Sequence, residues 1–243
     1  MADKKKTTSR KHHWWSTLIY VVLIIIALGL IFHNQIATFA INTFEPKVTQ
    51  KTINKADQTK KDANYDWSKV NTLSAQQILK ARVNAGKVDF IGFVSVPEIG
   101  LSVPIANGVS DTILSLGAGT LNENQQMGQG NYALASHFIQ GDSGKKVLFS
   151  PIYYHGKVGQ KIYLTDMKKV YEYKTTSYRV VKPTDVQVAD PIPGRKMVTL
   201  ITCDYTAERG RVIMQGDLTK EMPFNQAPQS VLDSFEKDNR WIK

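Results

Sequence analysis

The chain of 243 residues holds a single cysteine, Cys203. No internal disulfide can therefore form, and no zinc site built on paired cysteines is possible. Acidic residues are also scarce relative to basic ones, 21 against 31, which leaves a formal net charge of +10. A balance of this size suits an anionic surface such as a membrane, a cell-wall polymer or a nucleic acid. Zinc-finger spacing and an aromatic RNA-binding signature are both missing, so a nucleic-acid partner is not expected. Internal repeats are absent too. Charge itself is missing from His12 to Phe44, where no Asp, Glu, Lys or Arg occurs.

That uncharged window contains the one long apolar run. Trp14 to Phe32 spans nineteen residues, roughly 28 Å as a helix and enough to cross a hydrocarbon core. Lys4, Lys5, Lys6, Arg10 and Lys11 precede it, which predicts a cytoplasmic N-terminus and an exterior remainder. Trp14 and Trp15 suit the headgroup boundary. The competing reading is a cleaved signal peptide with a poor site at Thr38-Phe39-Ala40, but the run is long for that role. The expected organisation is a basic cytoplasmic tail at 1–13, a membrane anchor at 14–33, a polar linker or stalk at 34–72 and a folded domain at 73–243.

Ser74-Ala75-Gln76-Gln77 matches a capping box, and Gly86 is a plausible stop, so a helix is expected from about 74 to 85. The pattern then turns to β. Val88–Val96 and Leu101–Ile105 flank Pro97-Glu98-Ile99-Gly100 as a hairpin. Further strands are expected at Asn131–Ser136, Lys161–Leu164, Val170–Tyr173, Tyr178–Val181, Met197–Thr202 and Arg211–Leu218. Asp111–Leu116 and Pro151–His155 read as short helical turns, Gly117–Gly119 as a loop and Pro183–Gly194 as a long loop. About eight short strands with few helices predict a mostly β, closed or nearly closed barrel.

Met197-Val198-Thr199-Leu200-Ile201-Thr202-Cys203 is apolar and β-branched, a buried strand with the thiol at its end. A nucleophile there would stand on rigid backbone; a small buried hydrophobe is the other role open to an unpaired cysteine. A nucleophilic thiol needs a partner that favours the thiolate. His12 and His13 precede the apolar run and His33 follows it, which leaves His137 and His155 in the folded part. His137 ends the Tyr132–Ser136 strand and could reach the rim at Cys203, although a structural histidine fits the same position. His155 reads as surface. Arg211 opens the strand that follows Cys203 across a polar, Gly-containing connection, so the two would face each other. Its guanidinium could hydrogen-bond a developing oxyanion. A solvated edge arginine is the plain reading, and Arg209 is a rival.

Thr199-Leu200-Ile201-Thr202-Cys203 resembles the signature of sortases, the wall-anchoring cysteine transpeptidases. Leu134-Ala135-Ser136-His137, Arg211-Val212-Ile213 and Val181-Lys182-Pro183-Thr184-Asp185-Val186 resemble the family as well, in order and over about 88–220. The N-terminal anchor with Thr-Leu-x-Thr-Cys is similar to class A. The resemblance implies that Cys203 attacks the Thr–Gly carbonyl of an LPXTG-type sorting signal on a secreted protein. His137 would then protonate the leaving amine, and Arg211 would steady the oxyanion. An amine of a cell-wall precursor, lipid II or a peptidoglycan cross-bridge, would resolve the thioester. It also implies substrate contacts at Ala135, Ser136, Pro183, Val186, Val188, Ile201, Thr202 and Ile213. Some class A members bind calcium; here Asp111, Glu123 and Asp190 are scattered, so no metal or other cofactor is expected. A surface cysteine hydrolase using water and a non-catalytic adhesion domain are the alternatives. The Ser-His-Gly-Cys motif of LD-transpeptidases is absent.

Overall fold

A computed structural model describes residues 11–43, 48–66, 73–142, 144–203 and 210–236. Eight strands close into a barrel: β1 (Phe90–Val96), β2 (Leu101–Ala106), β3 (Ala118–Thr120), β4 (Asn131–Ala135), β5 (Lys161–Thr165), β6 (Lys169–Val181), β7 (Met197–Cys203) and β8 (Arg211–Pro223). Around the barrel the order is β1-β2-β3-β4-β7-β8-β6-β5. The β2–β3 and β4–β7 pairs are parallel and the other pairs are antiparallel. Seven helices accompany them among the described residues: α1 (Lys11–Ile31), α2 (His33–Asn42), α3 (Gln50–Gln58), α4 (Ala75–Asn84), α5 (Asp111–Leu116), α6 (Ser150–His155) and α7 (Gln229–Phe235). The barrel and its short helices match the expected fold class.

Side-chain alternation fills the barrel. Tyr132 and Leu134 of β4, Val198 and Leu200 of β7, and Val212 and Met214 of β8 point into one buried cluster. The neighbouring residues Ala133, Ile201 and Ile213 face outward, yet they are buried as well. They lie under Ala189 and the connection from β6 to β7, with α5 alongside through Leu114. A strand covered on both faces reads as a continuous apolar run, which accounts for the composition of 197–203.

Several elements depart from the sequence expectation. The Lys174–Ser177 stretch, expected as a connection, lies inside the single strand β6, with a register shift between Thr175 and Ser177 where it pairs with β8. An irregularity of that kind lets a polar stretch continue the ladder while changing its twist. Ala118 and Gly119 of the expected Gly117–Gly119 loop belong to the short strand β3, which runs on to Thr120. The segment expected as a solvated linker is helical over α2 and α3. Val48, Ile53 and Ala56 of that segment are buried against Phe90 and Phe93 or nearby core positions. Ile53 and Ala56 lie three residues apart, so one face of an otherwise polar helix is enough to dock it.

The helix expected at 74–85 is α4. Ser74 Oγ accepts from Gln77 N–H at 3.2 Å, and Gln77 Oε1 accepts from Ser74 N–H at 2.7 Å, which satisfies two otherwise open donors. α1 contains an eighteen-residue apolar window, Trp14–Ile31, none of it buried, which is long and apolar enough to cross a membrane. At the other end of the chain, Ser102 Oγ donates to Phe235 O at 2.7 Å and ties α7 onto the barrel.

Candidate active site

Two registers bring the three chemistry-bearing residues together. In the antiparallel β7–β8 pair, Cys203 stands directly opposite Arg211. In the parallel β4–β7 pair, Ala135 stands beside Ile201. The pairing continues past the end of β4, because Ser136 N–H donates to Ile201 O at 3.2 Å and Thr202 Oγ1 donates to Ser136 O at 3.1 Å. One more residue on each strand puts His137 level with Cys203. Neighbouring strands are about 4.8 Å apart, so the sulfur has an imidazole on one side and a guanidinium on the other. All three fall on the outward face, the face of Ala133, Ala135, Ile201 and Ile213.

The local chemistry differs among the three. Cys203 is half-buried and Arg211 is half-buried, with its Nη1 donating to Gly210 O at 3.1 Å. His137 is buried, only 7% exposed. Burial disfavours the charged ring and pulls its pKa down to about 4, while the Asp111 carboxylate on α5 acts in the opposite direction. At neutral pH the ring is therefore mostly neutral. Asp111 is itself held by Gln77 of α4, whose Nε2 donates to Asp111 Oδ2 at 3.3 Å.

The other expected contacts divide by strand face. Ala135 is partly exposed and packs with Ile201 and Ile213, which form a buried floor. Ser136 and Thr202, expected at the substrate, instead face the inner side of the wall. Their hydroxyls are committed there, Ser136 Oγ to Gly117 O at 2.6 Å and Thr202 Oγ1 to Ser136 O. The physical reason is the two-residue period, since both are one position out of phase with His137 and Cys203. Val188 lines an open cavity of about 300 Å³ together with Val181, Arg179, Ile192 and Gln215. Val181 pairs with Arg211, so this cavity begins one strand away from the Cys203–Arg211 pair. Pro183 and Val186 stand on the same loop outside that cavity, Val186 half-exposed. Arg209 and the rest of the 204–209 connection lie outside the described residues.

A set of buried amides holds the loop and was not singled out in the sequence. Asn131 Nδ2 donates to Val188 O at 3.1 Å and to Asp190 O at 3.0 Å, and Asn131 Oδ1 accepts from Thr199 Oγ1 at 2.7 Å. Gln215 Nε2 donates to Val188 O at 3.2 Å and Asn122 Nδ2 to Ala189 O at 3.0 Å. A polar residue at an otherwise apolar strand position, as Asn131 and Gln215 are, was the available signal. On the opposite wall, Val109 N–H donates to Asn64 O at 2.6 Å. Gly108 beside it has φ +75°, and a Cβ there would lie 2.5 Å from Asn64 O. Glycine is thus required both by conformation and by the close approach of residues 63–64. Among the described residues no three His, Cys, Asp or Glu side chains gather as a metal site would need.

The chain matches the sortase domain over residues 94–219. It is 40% identical over 219 residues to sortase A of Streptococcus agalactiae, covering 87% of each protein. Sortase A of Listeria monocytogenes is 36% identical over 161 residues, covering 66% of this chain and 70% of that one. The solved structure of the Listeria enzyme superposes with a TM-score of 0.55 at 33% identity, covering 60% of this chain and 97% of that chain. A barrel in this strand order, a cysteine at the end of β7 and relatives of this closeness converge: the chain belongs to the sortase family, is sortase A-like, and is a cysteine transpeptidase.

Proposed function

We propose that this protein is a membrane-anchored enzyme that cleaves LPXTG-type sorting signals between Thr and Gly. It joins the new Thr carbonyl to an amine of a cell-wall precursor. The observation that carries this reading is the pair of registers flanking Cys203 with His137 and Arg211. In the competent form the sulfur is a thiolate and the ring is an imidazolium. The thiolate adds to the Thr carbonyl carbon, and negative charge moves onto the carbonyl oxygen. The Arg211 guanidinium, a planar fork of donors, hydrogen-bonds that oxyanion. His137 gives its proton to the glycine nitrogen as the C–N bond breaks, which leaves a thioester on Cys203. An incoming amine then adds to the thioester, His137 takes its proton, and the thiolate departs.

The cavity along Val181, Val188 and Ile192 supports placing the apolar Leu-Pro part of the signal there, where a proline loses little conformational freedom on binding. α1 acts as the anchor, and the lysines before it favour a cytoplasmic N-terminus with the barrel outside. A low ring pKa fits a resting site that is mainly thiol and neutral imidazole. The test is product analysis with an LPXTG peptide, with and without an added oligoglycine or alanine amine. A transfer product that replaces the free acid as amine is added supports the proposal. Cleavage to the free acid alone at every amine concentration contradicts it and makes water the acceptor.

A further inference from the structure

The cavity assigned above to Leu-Pro does not end at apolar residues. Val181, Val188 and Ile192 line it together with Arg179 and Gln215. Arg179 and Val181 are two residues apart on β6 and so share its outward face. Val181 pairs with Arg211 and Arg179 with Ile213, while Arg211 stands opposite Cys203. Arg179 is therefore two strands across from Cys203 and two residues below its level. At about 4.8 Å per strand and about 3.4 Å per residue, its Cα is roughly 12 Å from that of Cys203. The guanidinium is drawn farther away still, because Nη1 donates to Gln215 Oε1 at 2.7 Å and to Ser177 Oγ. Gln215 and Ser177 are paired with each other at the next outward level from Arg179. An extended peptide with its Thr at Cys203 has its Leu about 10 Å away and the residue before Leu about 13 Å away, at about 3.3 Å per residue. The residue before Leu is thus the one abreast of Arg179.

The partners of Arg179 orient its charge without cancelling it. Ser177 and Gln215 are neutral, and only Nη1 is engaged among the described residues, which leaves the Nε and Nη2 donors. Gln215 is itself fixed, since its amide also donates to Val188 O and Thr199 Oγ1. Arg195, near the end of the same connection, is instead paired with Asp217. Among the described residues no carboxylate lies within ion-pair distance of Arg179. Asp185 and Asp190 line the loop side of the cavity, where the Asp185 carboxylate accepts from Lys182 N–H at 3.0 Å. We propose that Arg179 forms a subsite for an acidic side chain on the residue immediately before Leu in the sorting signal. This rests on the LPXTG reading given above and extends it by one position. The carboxylate takes a charge-assisted hydrogen bond from the guanidinium fork. Arg179 touches no reacting atom, so it governs which signals are captured rather than the chemistry at Cys203.

Substrate charge separates this role from support of the loop through Gln215. The full-length protein in phosphatidylcholine vesicles is assayed for kcat/KM with a soluble amine and LPXTG peptides that differ only in Glu, Gln or Lys before Leu. For the native enzyme at low ionic strength the Glu peptide exceeds the Gln peptide by about fivefold, the upper range for a solvent-exposed pair, and the Lys peptide falls below it. The differences shrink in about 1 M salt, where the screening length is about 3 Å. Arg179→Gln removes the order and Arg179→Glu reverses it. Loss of loop support alone would lower all the peptides by one factor and keep the native order. Native values that do not depend on the charge before Leu, a preference for Lys, or an order that survives in Arg179→Gln overturns the proposal. The native comparison needs no variant, so it decides even where a substitution fails to fold. No transfer product from any of the peptides would instead refute the reading of the site on which the proposal rests.

Discussion

Asn131→Ala is the sharpest perturbation of the substrate side, because the buried amide makes three bonds and two of them reach the β6–β7 loop. At about 1 kcal/mol per net hydrogen bond, the variant loses about 3 kcal/mol of stability. Roughly 2 kcal/mol of that belongs to docking the loop, which weakens docking by about thirtyfold. Val188 O keeps its bond from Gln215, so kcat/KM should fall by about tenfold rather than the full factor. The loss should appear mainly in KM, since two of the three lost bonds hold the β6–β7 loop rather than His137, Cys203 or Arg211. Thr199→Val is the matched control: it removes a hydroxyl from the same network and leaves both Asn131 donors on the loop. It loses the bond to Asn131 Oδ1 and the one from Gln215 Nε2, and should cost about 2 kcal/mol in urea unfolding while leaving kcat/KM near native. If Asn131→Ala lost the stability but kept native kcat/KM, the loop would not owe its working position to this amide.

Three further outcomes follow from the geometry. His137 has a folded pKa of about 4, below its usual 6.5, so the unfolded chain binds a proton that the folded one refuses as pH falls through that window. Its contribution, about 3 kcal/mol, is present above pH 6.5 and is lost by pH 4; urea unfolding of native and His137→Gln protein should therefore converge by that amount, and a constant difference would contradict the burial argument. Arg211→Lys keeps the charge but not the planar fork, and should lower the single-turnover acylation rate by about a hundredfold; a near-native rate would mean that charge alone suffices. Gly108→Ala puts a Cβ against Asn64 O in a left-handed conformation and should cost about 2 kcal/mol, with limited proteolysis near residues 63–66 accelerated; unchanged cleavage would show that this wall does not depend on the close approach.

The barrel was legible because its strands carry period-two alternation and its core strand is apolar on both faces. Met197–Cys203 could be read as buried, and the capping box at Ser74 announced α4 with its bonds. What failed to show were features that depend on distant partners. The Lys174–Ser177 stretch looks like a turn because all four residues are polar, although Thr175 is buried, and only the long partner β8 keeps it in the ladder. α3 looks like linker because two buried residues, Ile53 and Ala56, suffice to dock it. At the site, Cys203, His137 and Arg211 could be singled out by residue type and position at strand ends. Ser136 and Thr202 could not be assigned a face until the β4–β7 register fixed which alternate residues point outward. Asp111 read only as one of several scattered carboxylates, because its effect on the His137 ring comes from the fold rather than from any neighbour along the chain.

The most direct test of the account is to trap the enzyme with an LPXTG peptide in the absence of amine, quench in acid and map the acyl group by mass spectrometry. The increment should be that of the peptide through its Thr carbonyl, carried on the fragment containing Cys203, discharged by added amine and absent from Cys203→Ala. An increment on any other residue, or one that survives in Cys203→Ala, would contradict the claim that this thiol, between His137 and Arg211, carries the reaction.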